Sequence, residues 1–238
     1  SISAFDFAII SDDQFVSAYI EKAKVLEKVK RYNEALENFR LSIELSEPNS
    51  FVYYRIAKCY IKINNKKLFI DFIKKSVREE PGNEKAWIFL IKYYLKNNNF
   101  RQAKYLSSKA LINNHNSIKI LRLNAIIHKE IGDTREAIKF YNQILDFKEN
   151  LSWKIWKGLL ICLIDNKEWS EFLRTSLKAK KHYPNKAFLD FIISGCLLKN
   201  GKINEAIYFY QSGKKTCEVP EKLIKYFPEF NENKTLLV

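Results

Sequence analysis

Apolar residues recur along the chain at the spacing of amphipathic α-helices, and the helical segments themselves repeat at a fixed distance. The segment Arg-Tyr-Asn-Glu-Ala-Leu at 31–36 resembles segments at 99–104, 133–138 and 202–207. Each carries a central alanine: Ala35, Ala103, Ala137 and Ala206. Successive alanines are 68, 34 and 69 residues apart, which is two, one and two periods with one inserted residue. The pattern therefore predicts a repeating unit of paired helices.

Six such repeats account for most of the chain. Their boundaries are predicted at 16–49, 50–83, 84–117, 118–152, 153–186 and 187–220. The third repeat shows the pattern best, with Trp87, Leu90 and Tyr94 on its first helix and Ala103 and Ala110 on its second. Small residues let two helices approach closely, and the larger side chains fill the space beside them. A single pair cannot bury its own apolar faces, so neighbouring pairs must stack.

This pattern resembles the tetratricopeptide repeat (TPR), whose consensus has Trp-x2-Leu-Gly-x2-Tyr in its first helix and Ala, an aromatic residue, Ala and Pro in its second. The resemblance covers residues 14–218, which we take as a TPR domain. It implies an all-α fold, a right-handed superhelical α-solenoid of helix-turn-helix repeats. It also implies a concave groove, lined by the first helices, in which partner peptides lie.

Both ends of the chain fall outside this domain. Residues 1–13 are apolar and are predicted to cap the first repeat; the alternative is a stub that leads from an anchor or binds a partner. Within them, Ser11 begins a capping-box pattern that predicts the start of the first helix. Residues 219–238 are predicted to form a capping helix and a tail. The chain starts at Ser1 and contains no Met, which favours a processed or truncated N-terminus.

The charge balance is strongly basic. Lys and Arg number 41 and Asp and Glu 27, which gives a net charge of +14. Such an excess favours an acidic peptide, a nucleic acid backbone or an anionic membrane surface, although a Lys-, Ile- and Asn-rich composition also arises from an AT-rich coding sequence. No apolar run is long enough to span a membrane. Both the cytoplasm and a bacterial periplasm or envelope remain open as locations.

No constellation of catalytic residues is recognisable. The three histidines, His115, His128 and His182, are far apart in sequence, and no metal-binding spacing or phosphate-binding glycine loop occurs. Cys59, Cys162 and Cys196 lie in apolar helical stretches, which predicts buried free thiols. We therefore expect a protein that is not an enzyme and needs no cofactor, metal or small-molecule substrate.

The groove positions implied by the resemblance are basic in the first repeats. Two lysine rows recur, one of Lys24, Lys58 and Lys92 and one of Lys28, Lys62 and Lys96. Further cations and aromatic residues at groove positions are Tyr54, Arg55, Lys85, Phe89, Lys119, Arg122, Lys154 and Lys157. Lysines crowded on one face repel one another unless a negative charge neutralises them, so these residues are predicted to bind an acidic segment. The alternative is an ordinary solvated helix face.

The groove positions of the last repeats are apolar instead. They are Ile126, Ile161, Ile164, Phe188, Phe191, Ile192 and Leu198. Such a surface suits an amphipathic or hydrophobic partner segment. The alternative is that the C-terminal tail covers it.

Together these observations predict a non-enzymatic scaffold that binds an acidic or amphipathic protein segment and serves in assembling a larger complex. One alternative is an RNA-binding helical repeat, which the basic charge and the interleaved aromatic residues favour. Another is an envelope-associated assembly component. A homo-oligomer remains open.

Overall fold

The chain is all-helical throughout the part that a computed structural model describes, residues 2–47, 49–147 and 151–230. The α-helices are α1 Ile2–Ser11, α2 Val16–Lys28, α3 Tyr32–Glu44, α4 Ser50–Lys62, α5 Lys66–Glu79, α6 Glu84–Lys96, α7 Phe100–Asn113, α8 Ile118–Glu130, α9 Thr134–Phe147, α10 Trp153–Asp165, α11 Trp169–His182, α12 Ala187–Lys199, α13 Ile203–Lys214 and α14 Glu221–Ile224. A 3-10 helix follows at Pro228–Phe230. The chain divides into two compact units, residues 1–123 and 124–238.

The turn inside each helix pair has the same backbone geometry every time. One residue in each turn has a φ between 55° and 83°: Lys30, Asn64, Asn98, Gly132, Lys167 and Gly201. The following residue donates its N–H back across the helix end, as Arg31 does to the Leu26 carbonyl at 2.9 Å. This is the Schellman ending, which satisfies carbonyls that the helix leaves unpaired. The six residues are 34 or 35 positions apart, so the repeat is present in the backbone itself.

Asparagines begin several of the helices in the first unit. The side-chain oxygens of Asn49, Asn65, Asn83 and Asn99 accept hydrogen bonds from backbone N–H groups one turn into α4, α5, α6 and α7. Such N-caps stabilise a helix by about 1 kcal/mol each. The capping box predicted at Ser11 is wrong, because Ser11 ends α1 and its hydroxyl donates to the Phe7 carbonyl.

The small residues of the repeat pattern are buried between the helices. The alanines Ala23, Ala35, Ala57, Ala103, Ala137 and Ala206 are all completely buried. Phe39 and Phe69 in the first unit and Phe172 and Phe191 in the second are buried as well, and Phe69 and Phe172 stand at the repeat position that alanine occupies elsewhere. Each buried large side chain of this kind contributes about 1.5–3 kcal/mol. The core of each unit therefore runs along its stacked helices.

The N-terminal segment forms a helix that contacts α2. Lys22 of α2 pairs with Asp6 of α1 at 2.7 Å, while Phe7 and Ile10 are 70% and 80% exposed on another face of α1. The segment therefore has one face toward the first helix pair and a second that carries exposed apolar side chains. Its capping role stays a prediction.

The C-terminal segment folds against the second unit. Leu223, Phe227 and Phe230 are almost completely buried although α14 has only four residues. The ring of Phe227 lies 5.7 Å from that of Trp169, and the ring of Phe230 lies 5.5 Å from that of Tyr210. This segment thus packs as part of the unit as far as Phe230. The predicted tail at 231–238 lies outside the described residues.

Candidate functional site: a basic face and an apolar pocket

Two of the predicted groove cations in the first unit already have an acidic partner within the chain. Glu27 of α2 accepts a hydrogen bond from Lys58 Nζ at 2.8 Å, and Arg55 Nε lies 2.8 Å from its other oxygen. The Arg55 contact lacks hydrogen-bond alignment, so it acts through charge rather than as a directed bond. Because only 12% of the Glu27 side chain is exposed, both cations are drawn against the helix surface.

Sequence reasoning missed Glu27. It stands at repeat position 12, one of the positions that face the groove in the family, between the residues of the two lysine rows. Its pairing with Lys58 joins residues 31 apart in sequence. Considering repeat position 12 together with positions 9 and 13, which hold the two lysine rows, would have located this carboxylate.

The predicted groove cations of the first unit form what we call the basic face. Its other cations either pair with carboxylates or remain exposed. Lys24 pairs with Glu21 at 2.6 Å, and Lys119 lies 3.3 Å from Glu84. Five of the predicted groove lysines of the first unit are exposed and have no ion pair within the part of the chain that the structure describes: Lys28, Lys62, Lys85, Lys92 and Lys96. Arg122 is half-buried, and its Nε has no hydrogen-bond partner among the described residues. The row of Lys28, Lys62 and Lys96 is therefore the more available of the two.

A cleft of about 610 Å³ opens beside Lys58 and Lys85, toward the other end of α4 and α6 from Lys62 and Lys96. Its lining residues are Phe51, Tyr54, Arg55, Lys58, Glu80, Gly82, Asn83, Glu84 and Lys85. Tyr54 meets Phe89 edge to face with the ring centroids 6.0 Å apart, and Phe89 in turn meets buried Phe69 at 5.3 Å. Tyr54 thus belongs to the cleft, whereas the half-buried Phe89 mainly joins α6 to α5. The charges of the cleft are mixed, since Arg55, Lys58 and Lys85 stand with Glu80 and Glu84.

The predicted apolar groove of the second unit comes together only in part. Ile161, Ile164, Phe188 and Ile192 line one pocket of about 760 Å³. Phe191 was predicted to face the groove, but it is completely buried and its ring packs on Phe230 and beside Gly213. Leu198 packs against the cluster of Ile193, Leu197 and Ala206 instead.

The predicted cations of the second unit lie around that pocket or near it. Lys157 is exposed and lines it, and Lys154, also exposed, precedes it on α10. The pocket is further walled by the C-terminal segment through Pro220, Leu223 and Tyr226. The predicted C-terminal capping segment therefore covers part of this surface, while coverage by the tail stays a prediction.

Cys59, Cys162 and Cys196 are buried free thiols, whereas Cys217 is exposed. Burial raises the pKa of the Cys59 and Cys196 thiols to about 12 and that of Cys162 to about 11, so these thiols stay protonated near neutral pH. Within the described residues, no group of three or more His, Cys, Asp or Glu side chains could hold a metal ion. In the same ranges, no helix combines the length and apolarity that crossing a bilayer requires.

Paired helices, buried alanines at their crossings and one repeated left-handed turn define an all-α helical-repeat protein. The family model of the tetratricopeptide repeat matches residues 16–49 and 52–83. Residues 16–49 and 52–83 therefore carry tetratricopeptide repeats, and the all-α helical-repeat fold predicted from the sequence is confirmed.

One relative and two solved structures illustrate the likeness. The chain is 24% identical over 140 residues to the tetratricopeptide repeat-containing protein trd-1 of Caenorhabditis elegans, in an alignment that covers 59% of this chain and 18% of that protein. The chain thus spans less than a fifth of that relative's length.

Among solved structures, pilF of Pseudomonas aeruginosa superposes with a TM-score of 0.62 at 12% identity, covering 93% of this chain and 99% of that one. A tetratricopeptide repeat protein from Parabacteroides merdae gives 0.56 at 14% identity, with 98% and 91% covered. At such identities the likeness shows the fold alone.

Proposed function

We propose that the chain is a non-enzymatic scaffold that binds an acidic segment of a protein partner on the basic face of its first unit. The observation that carries this proposal is the row of Lys28, Lys62 and Lys96. Each is the last residue of a first helix, each is exposed, and none has an ion pair within the described chain. The cleft toward the other end of α4 adds Phe51 and Tyr54 as apolar contacts for a segment that extends along this helix from the lysine row. Assembly of a larger complex is the role that such a scaffold would serve.

Lys24 and Lys58 take a lesser part in this proposal than the sequence predicted. Their charges are already balanced by Glu21 and Glu27, so an incoming carboxylate gains less from them. A lysine at the end of a helix also interacts favourably with the helix dipole, which by itself would explain a recurring lysine. The experiment must therefore separate binding from helix stability.

Binding on the basic face is tested by neutralising its free row. In Lys28→Gln/Lys62→Gln/Lys96→Gln, we expect the affinity for a fluorescein-labelled acidic peptide to fall about tenfold at low salt, because each exposed ion pair contributes a few tenths to about 1 kcal/mol. Fluorescence anisotropy measures the affinity, and circular dichroism checks helicity. Affinity capture with the same baits, followed by mass spectrometry, then identifies partners whose retention follows the peptide result.

A matched control removes the same charge elsewhere in the first unit. Lys66, Lys67 and Lys104 are exposed on the second helices α5 and α7, so Lys66→Gln/Lys67→Gln/Lys104→Gln should bind the peptide much as the unmodified chain does. Equal losses in the two triple variants would show that net charge, and not this face, governs binding, and the proposal would fail.

A further inference from the structure

The C-terminal segment packs against α12 at a glycine. Gly195 occupies a groove-facing repeat position, and a Cβ placed there would lie 2.5 Å from the ring of Phe227. Phe227 is completely buried, and Lys199 Nζ stands 5.6 Å from its ring centroid. One residue earlier, the Tyr226 hydroxyl donates to Asp165 Oδ1 at 2.5 Å. The segment is thus bound along the face where a partner would otherwise lie.

The segment leaves one pocket open beside it. One wall of the pocket belongs to the first helices α10 and α12, with Leu160, Ile161, Phe188 and Ile192. The opposite wall belongs to the segment, with Leu223 and Tyr226. The lining is predominantly apolar, and a volume of about 760 Å³ accommodates one or two large side chains. Neither wall would enclose this space without the other.

Positive charge predominates around the pocket. Lys129, Lys157, Lys222 and Lys225 are among its lining residues, and the last three are exposed without an ion pair in the described ranges. Lys129 lies 3.8 Å from Glu130, so its charge is only loosely balanced. The acidic residues that line the pocket are Asp165 and Glu221, and Asp165 already accepts the Tyr226 hydroxyl. An apolar pocket with a basic rim is complementary to apolar side chains flanked by carboxylates.

We propose that this pocket is a second binding site of the protein, which takes an acidic amphipathic helix from a protein partner and uses the chain's own residues 220–226 as one wall. A large apolar side chain of the partner enters between Ile161 and Leu223, and its carboxylates meet Lys157, Lys222 and Lys225. The inference rests on the proposed function only in taking the ligand to be a protein. The site belongs to the second unit and uses none of the first unit's lysines.

The dependence on the C-terminal segment distinguishes this site from a plain helical groove. Lys222, Leu223, Lys225 and Tyr226 contribute both apolar surface and half of the basic rim. Changes in this segment should therefore alter binding directly, even though it lies outside the paired helices. A site formed by the first helices alone would not respond to them.

The probe is a short acidic synthetic peptide that carries Trp and Leu three positions apart, labelled with fluorescein and measured by anisotropy against the full chain. To remove binding at the first unit, the measurement is made in the background Lys28→Gln/Lys62→Gln/Lys96→Gln. We expect saturable binding there, and an about tenfold or greater loss when Trp and Leu are replaced by Ala, because burying a large apolar side chain supplies most of the affinity.

Two protein variants then locate the site. Ile161→Glu places a charge in the wall and should weaken the probe about tenfold or more, since Ile161 is half-buried and its replacement leaves the core intact. Lys225→Glu reverses a charge on the C-terminal segment and should lower the affinity for the probe peptide several-fold. Lys178→Glu is the matched control, an exposed lysine on α11 that does not line the pocket, and should leave the affinity unchanged.

The outcomes are decisive in both directions. If the peptide with Ala binds as tightly as the one with Trp and Leu, or if Lys178→Glu weakens the probe as much as Lys225→Glu, the pocket is not a specific site. Absence of binding in the triple-Gln background would also overturn the inference. Because the first unit is tested separately by its own lysine variants, failure here leaves the proposed function standing, and failure there leaves this pocket testable.

Discussion

At the turn of every helix pair, one backbone position is left-handed whichever residue occupies it. Gly132 and Gly201 adopt this geometry without steric strain, and Asn64 and Asn98 tolerate it. Lys30 and Lys167 have a Cβ that approaches the following carbonyl oxygen, which costs about 1–2 kcal/mol in a left-handed conformation. The Schellman hydrogen bonds at the helix end hold these lysines in place nonetheless. Each of these two turns therefore stores strain that a glycine would release.

Replacing one of these lysines should stabilise the protein. For Lys167→Gly we expect the free energy of unfolding to rise by about 1 kcal/mol, because the strain is removed and only part of that gain is lost to the freer unfolded chain. The matched reverse change is Gly201→Ala, where a Cβ would meet no atom within 4 Å and only the backbone is strained; it should lower stability by about the same amount. Urea unfolding followed by circular dichroism measures both. Two changes of the same sign would contradict this account.

Among the elements, the C-terminal segment is the shortest that is held in place by buried aromatic contacts, chiefly those of Phe227 and Phe230. Its helix α14 is too short to be stable alone, and the burial of Phe227 against Gly195 holds it to α12. The Tyr226–Asp165 hydrogen bond raises the pKa of Tyr226 to about 12, so this contact persists through neutral and moderately alkaline pH. The segment is consequently a fixed wall under ordinary conditions, yet one substitution should detach it.

Gly195→Ala should release the segment. The added Cβ would lie 2.5 Å from the Phe227 ring, closer than packed atoms can approach, so the ring must leave its seat. We expect faster tryptic cleavage after Lys222 and Lys225, with the paired helices unchanged by circular dichroism. Gly82→Ala, whose Cβ would meet nothing within 4 Å, is the control.

A double variant distinguishes loss of the Phe227–Gly195 contact from a general loss of stability. Phe227→Ala removes the ring, so adding Gly195→Ala to it should accelerate cleavage no further, as expected when two residues act through one contact. Additive effects of the two changes, or unaltered resistance of Gly195→Ala, would show that this contact does not hold the segment.

For the whole molecule, the net charge of +14 sets how binding responds to salt. An acidic peptide held by a few exposed lysines should lose affinity between about 50 mM and about 0.5 M salt, because the Debye length falls from roughly 14 Å to roughly 4 Å. A peptide that is held in the pocket of the second unit mainly by a large apolar side chain should lose less affinity over the same range of salt. Two sites with different salt responses are therefore expected in one chain.

The same charge allows the RNA alternative to be tested directly. Single-stranded RNA bound through its phosphates would show a steep, linear fall of log affinity with log salt. We expect an oligouridylate to bind no more tightly than polyglutamate of equal charge near physiological salt, measured by competition for the labelled acidic peptide. Tighter RNA binding that resists the Lys28, Lys62 and Lys96 substitutions would favour the RNA-binding alternative over the protein scaffold.

The sequence by itself determined the helix pairs, because a 34-residue recurrence of small and large apolar residues is a local pattern that only stacked helices can bury. Ala35, Ala103, Ala137 and Ala206 marked the crossings correctly, and the buried cysteines followed from their apolar neighbours. The repeat boundaries and the partner-binding residues stay predictions.

Tertiary structure alone decided which of the predicted groove residues are available. Glu27 pairs with both Lys58 and Arg55 from a neighbouring helix, and Phe227 packs against Gly195 from more than 30 residues away. A repeat pattern assigns each side chain to a face, but pairing across that face depends on how neighbouring helices and the chain's own end are placed in space. That is why the lysine row ending α2, α4 and α6 and the pocket beside α14 could be distinguished only in three dimensions.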